Sequence, residues 1–131
     1  MMLLRKYMSL LGVGSAQIDL ILEKDVLKPG ESVNGQFLIK GGTIDQQLQE
    51  IECSLVMVDE KTGLEKFIDT VTIAIQTRIQ SEGDDKVPFS FQLPVDVPVS
   101  SKKISYHFKT KLTFEKGVES WDEDMIKVVS G

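Results

Sequence analysis

His107 and Cys53 are the single histidine and the single cysteine of the chain, so a nucleophilic or metal-assisted reaction would have to use them first. Nucleophilic catalysis needs a thiol or hydroxyl held beside a base. His107 lies in phase with Ser105, Lys109 and Lys111, on the polar side of an alternating run, where the pattern predicts a solvated surface imidazole. Cys53 lies in phase with Ile51, Leu55 and Met57, where a free cysteine packs as a small hydrophobe. No serine or cysteine nucleophile can be paired with the histidine, so no catalytic residue is assigned and no enzymatic activity is expected. One histidine and one cysteine also fall short of a zinc site. Asp122-Glu123-Asp124 could gather calcium with Asp84 or Asp85. Hard cations want six to eight oxygens, and these runs lack the EF-hand spacing and its glycine. They read instead as a solvated charged loop. Gly12-x-Gly14 is followed by Gln17 and precedes a strand, which is the wrong order for a dinucleotide-binding turn. No metal ligand, cofactor-binding residue or cofactor is therefore expected.

Composition narrows the remaining classes. The chain has 131 residues, 41% hydrophobic and 27% charged, which suits one globular domain with a full core. Twenty acidic against fifteen basic residues give net charge −5, a poor balance for neutralising phosphates, so nucleic acid is not an expected partner. A lone cysteine forms no internal disulfide, which points to a reducing compartment and a cytoplasmic protein. No run approaches the twenty or so apolar residues of a membrane span. Residues 5–16 faintly resemble a signal peptide. Against that, Arg5 and Lys6 follow apolar residues, and Ser9 and Gly12 interrupt the short core.

The elements that must position any site follow from periodicity. Leu4, Met8 and Leu11 recur at helical spacing, with Leu3, Tyr7 and Leu10 beside them and Gly12 and Gly14 after them. This predicts a short amphipathic helix within residues 1–14. From Ala16 the period becomes two, through Ala16-Ile18-Leu20-Leu22 and Val33-Gly35-Phe37-Ile39, joined by a Pro29-Gly30 turn. Ile51 to Met57, Phe67 to Arg78 and Val87 to Leu93 continue it, with Pro88 arguing for a sheet edge. Ile104 to Phe114 is the longest uninterrupted alternation, and a last strand is expected near Met125 to Val129. About seven strands without an intervening long helix predict an all-β fold, an antiparallel sandwich over residues 15–131.

Two motifs carry a resemblance. Leu27-Lys28-Pro29-Gly30-Glu31-Ser32-Val33-Asn34-Gly35 and Val87-Pro88-Phe89-Ser90-Phe91-Gln92-Leu93-Pro94, in this order, resemble arrestin-like, immunoglobulin-like domains. Adding Ile21-Leu22-Glu23-Lys24-Asp25 and Lys40-Gly41-Gly42, the chain is similar to the bacterial stage-zero sporulation-control protein M family. Members of that family usually carry two such sandwiches, and the resemblance covers the first. It implies a scaffold that acts in the control of the onset of sporulation.

Surfaces are then the candidate sites. Leu4, Met8 and Leu11 form one sticky face, and Val56 and Val58 are apolar residues on the outward side of their strand. These five are the expected partner-binding residues, serving a protein partner or a second copy of the chain. The alternative is a membrane-surface adaptor held by the N-terminal helix. Two cations, Arg5 and Lys6, lend such an anchor little affinity, so a membrane is the lesser expectation.

Overall fold

The computed structural model describes residues 14–116 and 119–131, so the expected helix and its residues Leu4, Met8 and Leu11 lie outside the described residues. Among the described residues there are nine strands: β1 (Gln17–Leu22), β2 (Val26–Leu27), β3 (Ser32–Lys40), β4 (Gln46–Asp59), β5 (Glu65–Ala74), β6 (Arg78–Ile79), β7 (Asp84–Gln92), β8 (Ile104–Phe114) and β9 (Ser120–Val128). The two short strands β2 and β6 were not legible in the sequence, because two residues carry no period. One sheet has the order β1-β3-β7 and the other β2-β9-β8-β4-β5, with β6 continuing beside β4. All pairings are antiparallel except that of β2 with β9.

Alternation decides which side chains meet between the sheets. Ile18 and Leu20 of β1, Val33, Phe37 and Ile39 of β3, and Phe89 and Phe91 of β7 face Ile51, Cys53 and Leu55 of β4 and Tyr106, Phe108 and Leu112 of β8. The centre is aromatic. Phe108 meets Phe89 at 5.6 Å and Phe91 at 5.2 Å, both edge to face, and Phe37 meets Phe89 at 5.2 Å. Those geometries suit the ring quadrupoles. Ile104, in phase with Tyr106 and Phe108 and so expected inward, is only partly buried against the core. Tyr106 is sealed but satisfied, since its hydroxyl donates to the Pro98 carbonyl at 2.6 Å.

Turn chemistry behaves as the residue types require. Glu31 N donates to Lys28 O at 3.0 Å, closing a four-residue turn with Gly30 at φ 80°. That is a type II turn, which needs the left-handed region at its third position. Gly35 is needed for another reason. A Cβ there would stand 2.3 Å from the Ile21 carbonyl oxygen, so β1 and β3 could not keep their approach. Pro88 sits on β7, an edge strand, where its missing N–H breaks no ladder.

Candidate interaction surface and acidic cluster

The outward face of the larger sheet departs from the expected polar surface. Cross-strand register lines up Phe67 of β5, Val56 of β4, His107 of β8 and Met125 of β9. Phe67 is 55% exposed and Met125 65% exposed, while Val56 is 0% exposed between them. Trp121 lies four residues before Met125 on β9, on the same face and 52% exposed, with the Lys109 and Lys111 ammonium groups each 5.6 Å from its ring centroid. Such a face combines an apolar body with an ionic frame: Lys109 reaches Glu65 at 3.6 Å and Glu123 at 4.0 Å, and Lys111 reaches Glu52 at 3.1 Å.

Two expectations are corrected here. His107 is on the outward face, as its phase required, but it is 7% exposed rather than solvated. Its neighbours across the strands, Val56 and Met125, are apolar. Its Nε2 stands 3.4 Å from a Glu65 carboxylate oxygen but is not aligned for a hydrogen bond. Val56 is likewise outward but covered, so it supports the patch from beneath and offers no contact surface of its own. Val58 is half-buried at the strand end. Of the residues that do present apolar surface, Phe67 and Met125 were missed; Trp121, beside its acidic run, reads in the sequence equally as a lid over the sandwich end or as an exposed contact residue, and it is 52% exposed. Phase places each on its strand face, but only register shows that they share one surface.

A second cluster joins the two sheets. Asp19 of β1 and Asp122 and Asp124 of β9 hold carboxylate oxygens within 4.8 Å of one another. Asp122 accepts the Leu20 N–H at 2.9 Å, and one Asp124 oxygen is shut away without a hydrogen-bond partner. Burial, then the facing Asp122 carboxylate and the charge of Asp19, push Asp124 up to about 7. Asp19 is raised too, by burial first and then by Asp122, with Lys40 opposing. Like charges held this close retain a proton near neutrality. The expected charged loop is therefore part of strand β9, and the residue that joins it is Asp19 rather than Asp84 or Asp85.

Cys53 matches its expected core position. It is fully buried, its thiol is pushed up to about 12 by burial, and it accepts the Thr110 hydroxyl at 3.4 Å. A thiol in that state is not a nucleophile at neutral pH. No helix among the described residues is long and apolar enough to cross a membrane.

Two face-to-face sheets, an aromatic core and an outward apolar face framed by charge define an all-β sandwich domain with a candidate contact surface. Within that class the chain belongs to the Spo0M family: the family model described as SpoOM protein matches residues 4–130. The chain is 34% identical over 123 residues to the sporulation-control protein Spo0M of Bacillus subtilis, covering 89% of this chain and 48% of the relative. The crystal structure of Bacillus subtilis Spo0M is 32% identical with a TM-score of 0.81, covering 91% of this chain and 51% of that one. The chain thus spans about half the length of the relative it matches. The CARDB domain of a Pyrococcus furiosus protein, 12% identical with a TM-score of 0.52, shares the fold alone.

Proposed function

We propose that this chain is a non-enzymatic, arrestin-like scaffold of the cytoplasm that acts through protein–protein contact in the control of the onset of sporulation. Membership of the Spo0M family supports the biological setting. The observation that carries the contact reading is the outward face of the larger sheet. Phe67, Trp121 and Met125 stay exposed on strands of one sheet face, where alternation would place polar residues, and ion pairs frame them. Large apolar side chains left exposed together with charged ones on one sheet face are a common mark of a protein interface. Aromatic and methionine side chains are also enriched at the centres of such contacts. The sealed Cys53 and the covered His107 fit a binding role better than a nucleophilic one.

The test is the Phe67→Glu, Met125→Asp double variant expressed in the native cell. Both positions are exposed, so the fold should survive, checked by an unchanged melting curve. Sporulation frequency should change at least tenfold, and proteins captured by the wild-type chain should be lost. Unchanged frequency together with an unchanged set of captured proteins would overturn the reading.

A further inference from the structure

The sheet edges of this sandwich are not treated alike, and the difference assigns a second contact. Four strands end the two sheets: β1, β7, β2 and β5. An uncovered edge is a template for another chain, and folded proteins usually blunt it with charge, proline, brevity or a cover. On β1 the outward-directed Leu20 N–H is capped by the Asp122 carboxylate at 2.9 Å. Strand β7 carries Asp84, Asp85, Lys86 and Pro88. Strand β2 has two residues. Strand β5 has ten residues and, among the described residues, pairs only with β4. Its charged residues, Glu65, Lys66 and Asp69, and its register irregularity opposite Leu55 and Val56 all lie in its first half. From Thr70 to Gln76 it has no charge, no proline and no glycine.

The direction of the free groups follows from the ladder. Ile75 N donates to Gln49 O at 2.9 Å, so Ile75, Ile73 and Val71 exchange their hydrogen bonds with β4. Thr70 and Ser54 form the intervening kind of pair, in which side chains lie closer, and their hydroxyls do meet at 2.8 Å. Thr70, Thr72 and Ala74 therefore direct their N–H and C=O groups to the free edge.

We infer that the second half of β5 pairs, antiparallel and about a two-fold axis, with the same segment of a second copy of this chain. Placing Thr72 opposite Thr72 of the second copy sets Thr70 opposite Ala74 on both sides. All three edge-directed residues then lie in hydrogen-bonded pairs, and each pair exchanges two bonds. Val71 falls opposite Ile73, extending the apolar inner face. The register centred on Val71 joins only Thr70 with Thr72 before it reaches the irregular stretch at Phe67 to Asp69. Charge favours the same occupant. The chain carries net −5, and this edge is the uncharged span on which two copies can meet without opposing like charges. A strand contact this short buries less than the ~800 Å² per partner of a standard interface, so the dimer is transient and concentration-dependent. The inference goes beyond the scaffold reading and does not depend on the heterologous partner.

The register makes it testable with the whole chain. In a hydrogen-bonded antiparallel pair the Cα atoms lie about 5.5 Å apart, within the span a disulfide bridges. Under a mild chemical oxidant, T72C should collect as a disulfide-linked dimer on a non-reducing gel. V71C, displaced along the strand from its own copy, should stay at least tenfold less linked. Both variants carry Cys53→Ser, because native Cys53 is the cross-strand partner of Val71 and would otherwise take up the V71C thiol within the chain. Sedimentation of the wild type over a concentration series should show a monomer–dimer equilibrium, which Thr72→Lys weakens at least tenfold. Equal linking of V71C and T72C, or dimerisation untouched by Thr72→Lys, would overturn the assignment. A monomer at every concentration would also overturn it.

Discussion

Replacing Phe91 by alanine removes a ring from the middle of the inter-sheet core. Phe91 is almost wholly buried, stacks on Phe89 at 6.3 Å and meets Phe108 edge to face at 5.2 Å. Phe89 and Phe108 also touch each other and cannot both collapse into the space. A large aromatic deleted from a core that cannot close costs roughly 3–5 kcal/mol in lost transfer energy and cavity. The lost ring pairs place this case in the upper part of that range, at about 4 kcal/mol or more. The unfolding entropy expected of a chain this size converts that to a melting temperature lower by about 15 °C. The assay is urea unfolding followed by the fluorescence of Trp121, with a calorimetric scan beside it. Phe67→Ala serves as the control, because that ring is 55% exposed and its loss should cost less than about 1 kcal/mol. A Phe91→Ala cost below about 1 kcal/mol, or one equal to the control, would refute the inward register of β7 and the core built on it.

Two further outcomes are expected. Gly30→Val should destabilise by more than Gly30→Asn in denaturant melts, because Gly30 holds φ 80° and a Cβ would come 3.1 Å from Val95 Cγ1; equal costs would remove the turn argument. Asp124 holds a proton up to about 7 in the fold but to about 4 when unfolded, so its protonation favours the native state at low pH. Stability should fall as pH rises from about 4 to about 7, Asp124→Asn should flatten that fall, and an unchanged slope in the variant would refute the shared proton.

How much of this molecule was legible in its residues depends on the range over which the physics acts. Alternation is local. It placed Phe37, Phe89, Phe91, Tyr106 and Phe108 on the inner face, Cys53 among them, and the Ile104 to Phe114 strand at its observed bounds. The Pro29-Gly30 turn was equally readable, because proline and glycine restrict the backbone where they stand. The family was legible for the same reason, since its motifs are runs of adjacent residues. The candidate contact surface was not. Val56 and His107 were placed on the correct face with the wrong exposure, because exposure depends on the residues of neighbouring strands, Phe67 and Met125 among them, which register alone brings alongside. The partnership of Asp19 with Asp122 and Asp124 spans about a hundred residues of chain and was invisible to any window along it. The free edge of β5 exists only because of strand order. A period of two reports the face of a strand; which strand lies beside it, what side chains meet over it and which hydrogen bonds stay unmade are settled only when the sheets assemble.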